Sequence, residues 1–245
     1  MSITPPVEDL APTSMNMLDD KLASNLRQMD YVDLLPLQEY ATSVLLSERS
    51  LVVSAPTGSG KTAAYLIPTI EYVIRYRKSI GMAKGPLVLI LSNTKSVLFH
   101  TFYTACTMAG CRQNPEVARC KVARHYCRQL RWRVDGSQQH EAKSNEAQNA
   151  VIDEVDMMID EHLGLWYGLN KILEKIPGDT TIAGFQRPYC DESNLSFLSQ
   201  LQVKLFRHAV PILINVAAPK GYITQRVLEK GRQLPEHPYW EPDFA

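Results

Sequence analysis

Eight consecutive residues, Ala55-Pro56-Thr57-Gly58-Ser59-Gly60-Lys61-Thr62, have the types and spacing of a phosphate-binding loop. Glycines at 58 and 60 let the backbone turn tightly enough for successive N–H groups, those of Thr57 and Ser59 included, to converge on one anion. The helix that follows adds its positive N-terminal end. Lys61 is then placed to reach the β- and γ-phosphates of a nucleotide, and the Thr62 hydroxyl to hold Mg²⁺. The competing reading is a Gly/Ser-rich surface turn. Context separates the two, because an apolar run, Leu51-Val52-Val53, precedes the loop and a helix-like segment begins at Ala63. A second group, Asp153-Glu154-Val155-Asp156, directly follows Ala150-Val151-Ile152. An acid at a strand tip can hold Mg²⁺ through water, the role expected of Asp153, and the adjacent Glu154 can orient or deprotonate an attacking water. Alone such a tetrad reads as a solvated acidic loop; behind a phosphate loop it reads as the metal side of the same site.

The elements that must position these residues alternate between strand and helix. Leu18, Leu22 and Leu26 recur at a helical spacing, with Asp19 and Asp20 where a helix dipole favours negative charge. A second helix is expected from Pro36 through Leu45, a strand over 51–54, and a helix from 62 to about 77 with Leu66, Ile70, Val73 and Ile74 on one face. Residues 87–91 form a continuous apolar run of the kind buried on both faces of a sheet. A helix over 97–108, a strand entering Asp153, a helix over 165–176, a weak strand over 180–183, a helix capped by Ser193, a strand over 211–216 and a further one beginning at Ile223 complete the pattern. Such alternation predicts an α/β domain with a mostly parallel, doubly wound sheet and helices on both faces. Ligand chemistry then belongs beyond the C-terminal ends of the strands.

Composition narrows the setting. The chain has 245 residues, 45% of them hydrophobic, with 26 basic and 26 acidic side chains. No net field draws it to nucleic acid or membrane, so any basic surface is local. No apolar run approaches the roughly 18 residues of a spanning helix, and neither membrane nor DNA is an expected partner. The cysteines, Cys106, Cys111, Cys120, Cys127 and Cys190, form an odd set with no C-x-x-C pair. Reduced thiols in a cytoplasmic protein suit that set better than disulfides, and irregular spacing with His100 and His125 argues against zinc.

The phosphate loop and the Asp-Glu-Val-Asp tetrad, preceded by Asp30-Tyr31-Val32-Asp33-Leu34-Leu35-Pro36-Leu37-Gln38, resemble the first RecA-like domain of a DEAD-box RNA helicase, over nearly the whole chain. The resemblance implies a RecA-like phosphate-loop fold over residues 15–230, with a flexible tail at 1–14 and a C-terminal tail at 231–245 leading towards a second such domain. It implies ATP or ADP with Mg²⁺ as cofactors. Gln38 would read adenine, Thr57 to Thr62 would hold the phosphates, Thr62 and Asp153 the metal, and Asp153 with Glu154 would serve hydrolysis. Leu91-Ser92-Asn93-Thr94-Lys95-Ser96-Val97 falls where the family has a motif contacting the RNA backbone, which places Thr94 and Lys95 on RNA.

Departures from the family pattern set further expectations. No Phe, Tyr or Trp precedes Tyr31, so the aromatic stacker upstream of the glutamine has no counterpart. The family's Ser-Ala-Thr motif falls at Ala183-Gly184-Phe185, whose lost hydroxyls leave Asp156 without its usual partner. The middle of the chain is shorter than the family's and carries instead Arg112, Arg119, Lys121, Arg124, Arg128, Arg131 and Arg133, interleaved with His125, Tyr126 and Trp132. Cations with aromatics suit single-stranded RNA, with Arg124, Arg128 and Arg131 as the contacts; a solvated helix face is the alternative. Two functions stay open. One is the ATP-binding half of an RNA helicase, an ATP hydrolase by resemblance but inactive or very weak as this chain alone. The other is a helicase-derived scaffold or self-association module without unwinding activity, like the degenerate helicase domains of Tudor-linked proteins in germline small-RNA pathways. Both are compatible with ribonucleoprotein granules.

Overall fold

A computed structural model describes residues 11–81, 87–110, 147–159, 164–187, 205–206, 211–216 and 225–227. The strands are β1 (Leu51–Ser54), β2 (Val88–Leu91), β3 (Asn149–Asp153), β4 (Thr181–Gln186), β5 (Ile212–Val216) and β6 (Gln225–Val227). They form one sheet in the order β2-β3-β4-β1-β5-β6. All neighbours are parallel except β6, which runs antiparallel to β5 at the edge. The helices are α1 (Asp20–Gln28), α2 (Pro36–Leu46), α3 (Lys61–Ser79), α4 (Lys95–Met108), α5 (Val155–Ile159) and α6 (Trp166–Leu173).

The two-residue period of the strands assigns these helices to faces. Leu51, Val53, Val151, Ala183 and Phe185 point into a core shared with α1 to α4, whereas Val52, Ala150, Ile152 and Ile182 point into a second core with α5 and α6. Strands β1 to β4 are therefore covered on both sides, as the apolar run at 87–91 predicts. The chain belongs to the α/β class with a doubly wound sheet.

Local chemistry explains the helix starts. Asp19 caps α1 by accepting the Lys21 N–H at 3.0 Å, and Pro36 opens α2 at the position where a missing N–H costs nothing. In α3 burial is continuous from Ala63 to Glu71, which is more than the one-faced stripe the sequence predicts; Ile74 is only partly buried. The difference arises because α3 packs against α2 and α4 and shares one core with the strands. Tyr65, Leu66, Ile67 and Ile70 are each 0% exposed. Each such apolar side chain contributes roughly 1.5–3 kcal/mol relative to exposure.

Several boundaries differ from the sequence reading. Residues 11–14 are not all tail: Thr13 is buried and bonds Ser43 at 2.8 Å, while Ser43 donates to the Ala11 carbonyl. The segment expected as a weak strand at 180–183 is a six-residue strand in the sheet interior, because its small and apolar residues fit between β3 and β1. The acidic tetrad is not all loop, since Asp156 lies in the first turn of α5. Residues 1–10, the helix capped by Ser193 and the 231–245 tail lie outside the described residues.

Candidate nucleotide site

The strand order brings the two chemical motifs face to face. β4 lies between β1 and β3, so the loop after β1 and the acids after β3 stand two strand spacings apart, about 10 Å. Val53 and Asp153 are both level with Phe185. A cavity of about 680 Å³ opens above this point, and its lining includes Thr57, Gly58, Gly60, Lys61, Thr62, Asp153 and Glu154.

The loop is built as its glycines predict. Gly58 and Gly60 take φ values of +82° and +80°, in the region glycine enters at little cost. Ser59 is buried and donates to the Pro56 carbonyl at 2.8 Å, closing the turn. A Cβ on Gly60 would lie 2.7 Å from Gln38 Nε2 and 3.1 Å from Leu35 Cδ1, whereas one on Gly58 would meet nothing within 4 Å. Gly60→Ala is therefore expected to lower stability by about 2–3 kcal/mol and Gly58→Ala by about 1 kcal/mol, the difference being the clash added to backbone strain. Urea unfolding of the two variants checks this; equal midpoints would contradict it.

Lys61 Nζ donates to the carbonyls of Ala55 at 2.6 Å and Pro56 at 2.7 Å. Burial lowers its pKa below the usual lysine value, and the nearby Asp153 carboxylate opposes that shift. Across the cavity, Asp153 is 6% exposed; Oδ1 accepts the Glu154 N–H at 3.0 Å and Oδ2 accepts the Tyr65 hydroxyl at 3.0 Å. Burial raises its pKa, with the Tyr65 hydrogen bond pulling the other way. Glu154 sits at φ +52°, and its Oε1 meets Arg187 Nη2 at 3.3 Å. That left-handed turn separates the two acids, sending Asp153 to the floor and Glu154 to the rim.

Gln38, 1% exposed, does not line the cavity. Its Oε1 accepts the Leu35 N–H at 2.9 Å, which caps α2, and its amide nitrogen lies against Gly60. The glutamine thus buttresses the loop from behind. Tyr31, which the sequence reading did not count as a site residue, lines the cavity instead and supplies an aromatic ring close to the phosphate loop. Its place in the Asp30 to Gln38 segment is the signal that could have found it. Arg187 is a second residue missed, immediately beyond β4.

The strand end contributes Phe185, the last residue of the triplet at 183–185, and the two residues after it, Gln186 and Arg187, to the cavity, and Ala183 turns into the core. Asp156 Oδ1 is buried without a hydrogen-bond partner among the described residues, as the lost hydroxyls predict. Thr94 caps α4, its hydroxyl accepting the Val97 N–H at 3.3 Å, and Lys95 begins that helix. Arg124, Arg128 and Arg131 lie outside the described residues.

Comparison with known proteins agrees with this geometry. A family profile described as DEAD/DEAH box helicase matches residues 35–185, well over half of the chain. The chain belongs to the DEAD/DEAH box helicase family. It is 36% identical over 92 residues to the ATP-dependent RNA helicase ROK1 of Kluyveromyces lactis, covering 38% of this chain and 15% of that one. It is 27% identical over 184 residues to the ATP-dependent RNA helicase DBP4 of Mycosarcoma maydis, covering 69% of this chain and 19% of the relative. The match thus spans a fifth or less of these helicases. A DEAD box protein from the hyperthermophile Methanococcus jannaschii superposes with a TM-score of 0.56 at 18% identity, over 81% of this chain and 54% of that one, which supports the RecA-like fold.

Proposed function

We propose that this chain is the ATP-binding domain of an RNA helicase, binding ATP or ADP with Mg²⁺ between the phosphate loop and the acids of β3. The observation that carries the reading is that Lys61, Thr62, Asp153 and Glu154 line one cavity. The donor set fits Mg²⁺: a threonine hydroxyl and a buried carboxylate whose oxygens each accept one hydrogen bond among the described residues and keep lone pairs available. Mg²⁺ is ordinarily held by one or two carboxylates together with substrate phosphates, not by a protein cage. Bound there, the ion would neutralise phosphate charge. Lys61 would exchange its two loop carbonyls for phosphate oxygens, and the Gly58 to Thr62 backbone would add N–H donors at the start of α3. Glu154, at the rim, is the group able to take a proton from water.

Base recognition falls to Tyr31 in this reading, with Gln38 shaping the loop behind it. Tyr31→Ala is expected to weaken ADP binding fivefold or more, since stacking contributes about 1–3 kcal/mol per base, while leaving pyrophosphate binding unchanged. Competition titrations with the two ligands check this; parallel losses would remove Tyr31 from base recognition. Gln38→Ala is expected to weaken adenine and guanine nucleotides together.

RNA would meet the Thr94 and Lys95 end of α4 and the cationic 112–133 segment. Joint titration of a non-hydrolysable ATP analogue and single-stranded RNA tests the whole reading. Saturable, Mg²⁺-dependent nucleotide binding that strengthens RNA binding is expected, and absence of nucleotide binding overturns it. The orphaned Asp156 oxygen favours a second reading, a helicase-derived scaffold or self-association module of the Tudor-linked kind. Nucleotide binding without any effect on RNA affinity would select it.

A further inference from the structure

Tyr65 stands one turn into α3, wholly buried, with its hydroxyl between two motifs that the sequence treats as separate. It donates its single proton to Asp153 Oδ2 at 3.0 Å. A second contact, to Thr101 Oγ1 at 3.1 Å, must therefore run the other way, with the threonine donating to the phenol oxygen. Thr101 is 1% exposed and lies on α4, the helix whose first turn Thr94 caps. Thr62 lies three residues before Tyr65 on the same helix, which puts both side chains on one face of α3. The ring is fixed from the side by Phe185, edge to face at 5.1 Å between centroids. Burial beside the Asp153 charge raises the phenol's pKa, so it stays a donor.

We propose that Tyr65 is a positioning residue for the Mg²⁺ site: its hydroxyl fixes Asp153 beside Thr62 and, through Thr101, ties that carboxylate to α4. This rests on the nucleotide reading above. Three observations carry it. The phenol bonds directly to Asp153 and stands on the helix face that carries Thr62, the two side chains assigned to the metal. It is the sole side-chain partner given to Asp153 among the described residues. And it reaches α4 without the hydroxyls missing from the end of β4. A carboxylate held by one backbone N–H alone could rotate its second oxygen away; the phenol prevents that. Outer partners of this kind typically contribute about 10- to 100-fold to metal affinity.

The test compares ADP affinity with Mg²⁺ and with EDTA, the ratio being the gain due to the metal, in wild type, Tyr65→Phe, Thr101→Val and Thr101→Ser. Tyr65→Phe keeps the ring and its packing, so its affinity in EDTA is expected to match wild type while the Mg²⁺ gain falls about 10-fold. Thr101→Val is expected to lose part of the gain, and Thr101→Ser, which keeps the hydroxyl, to retain it. A full gain in Tyr65→Phe overturns the inference, as does an equal loss with and without Mg²⁺, which is the mark of packing alone. Should Tyr65→Phe fail to fold, Thr101→Val against Thr101→Ser decides on the same criteria. Wild type showing no Mg²⁺-dependent ADP binding overturns the nucleotide reading and this inference together, an outcome distinct from wild-type binding with a variant that behaves alike.

Discussion

Lys61→Ala is expected to reduce affinity for ADP with Mg²⁺ by at least about 30-fold, because removing one partner of a buried, hydrogen-bonded charge pair costs about 2–5 kcal/mol. The loop is arranged around this ammonium before any phosphate arrives. Its three protons are shared between the Ala55 and Pro56 carbonyls at 2.6 and 2.7 Å and the open side of the cavity. Burial disfavours the charge, Arg187 disfavours it further, and Asp153, Asp156 and Glu154 support it. A phosphate entering the cavity offers the ammonium a stronger partner than a carbonyl does. In the alanine variant the phosphate keeps the backbone N–H groups of the loop but loses the ammonium that stands against the Ala55 and Pro56 carbonyls. Calorimetry on the two proteins, with a thermal melt confirming that the variant is folded, reads the effect directly. Equal affinities, or binding by neither, would remove the nucleotide site from the account.

That site was legible in the sequence wherever local spacing determines geometry. The phosphate loop is a local structure: two glycines at left-handed φ, a strand before and a helix after. The strand before Asp153 was equally visible as a short apolar run. What the sequence did not show depends on the sheet order. That β4 separates β1 from β3, and so sets the distance between Lys61 and Asp153, is a tertiary fact. Tyr31 and Arg187 reach the cavity by the same route, through the docking of segments remote in sequence. Gln38 illustrates a different limit. Its position relative to the loop was legible, but its carboxamide is engaged by Leu35 and Gly60, because the cap of α2 needs an acceptor and the glycine leaves room for an amide. The short helix α5 was hidden because acidic residues at a helix start look like a loop until the dipole that favours them is known.

Turnover should separate from binding: the 245-residue chain taken alone is expected to hold nucleotide and release phosphate at a rate close to background, with or without single-stranded RNA. Phosphoryl transfer spreads negative charge over the equatorial oxygens, and an arginine brought to the far side of the nucleotide is worth about 10³–10⁵ in rate. Among the described residues lining the cavity, the Lys and Arg side chains are Lys61 and Arg187. Lys61 belongs to the loop. Arg187 is engaged with Glu154 at 3.3 Å, which neutralises the cation and also draws the carboxylate away from water it would have to activate. The pair is largely exposed on the arginine side, so Arg187→Ala is expected to release Glu154 at little cost in stability. Its turnover should nevertheless stay low, because among the described residues no further Lys or Arg lines the cavity to supply charge on the far side. A phosphate-release assay on wild type, Arg187→Ala and Glu154→Gln decides the matter, the last variant reporting contaminating hydrolase. Several turnovers per minute in wild type, stimulated by RNA and abolished in Glu154→Gln, would show that Arg187 leaves Glu154 when nucleotide binds and itself supplies the missing charge.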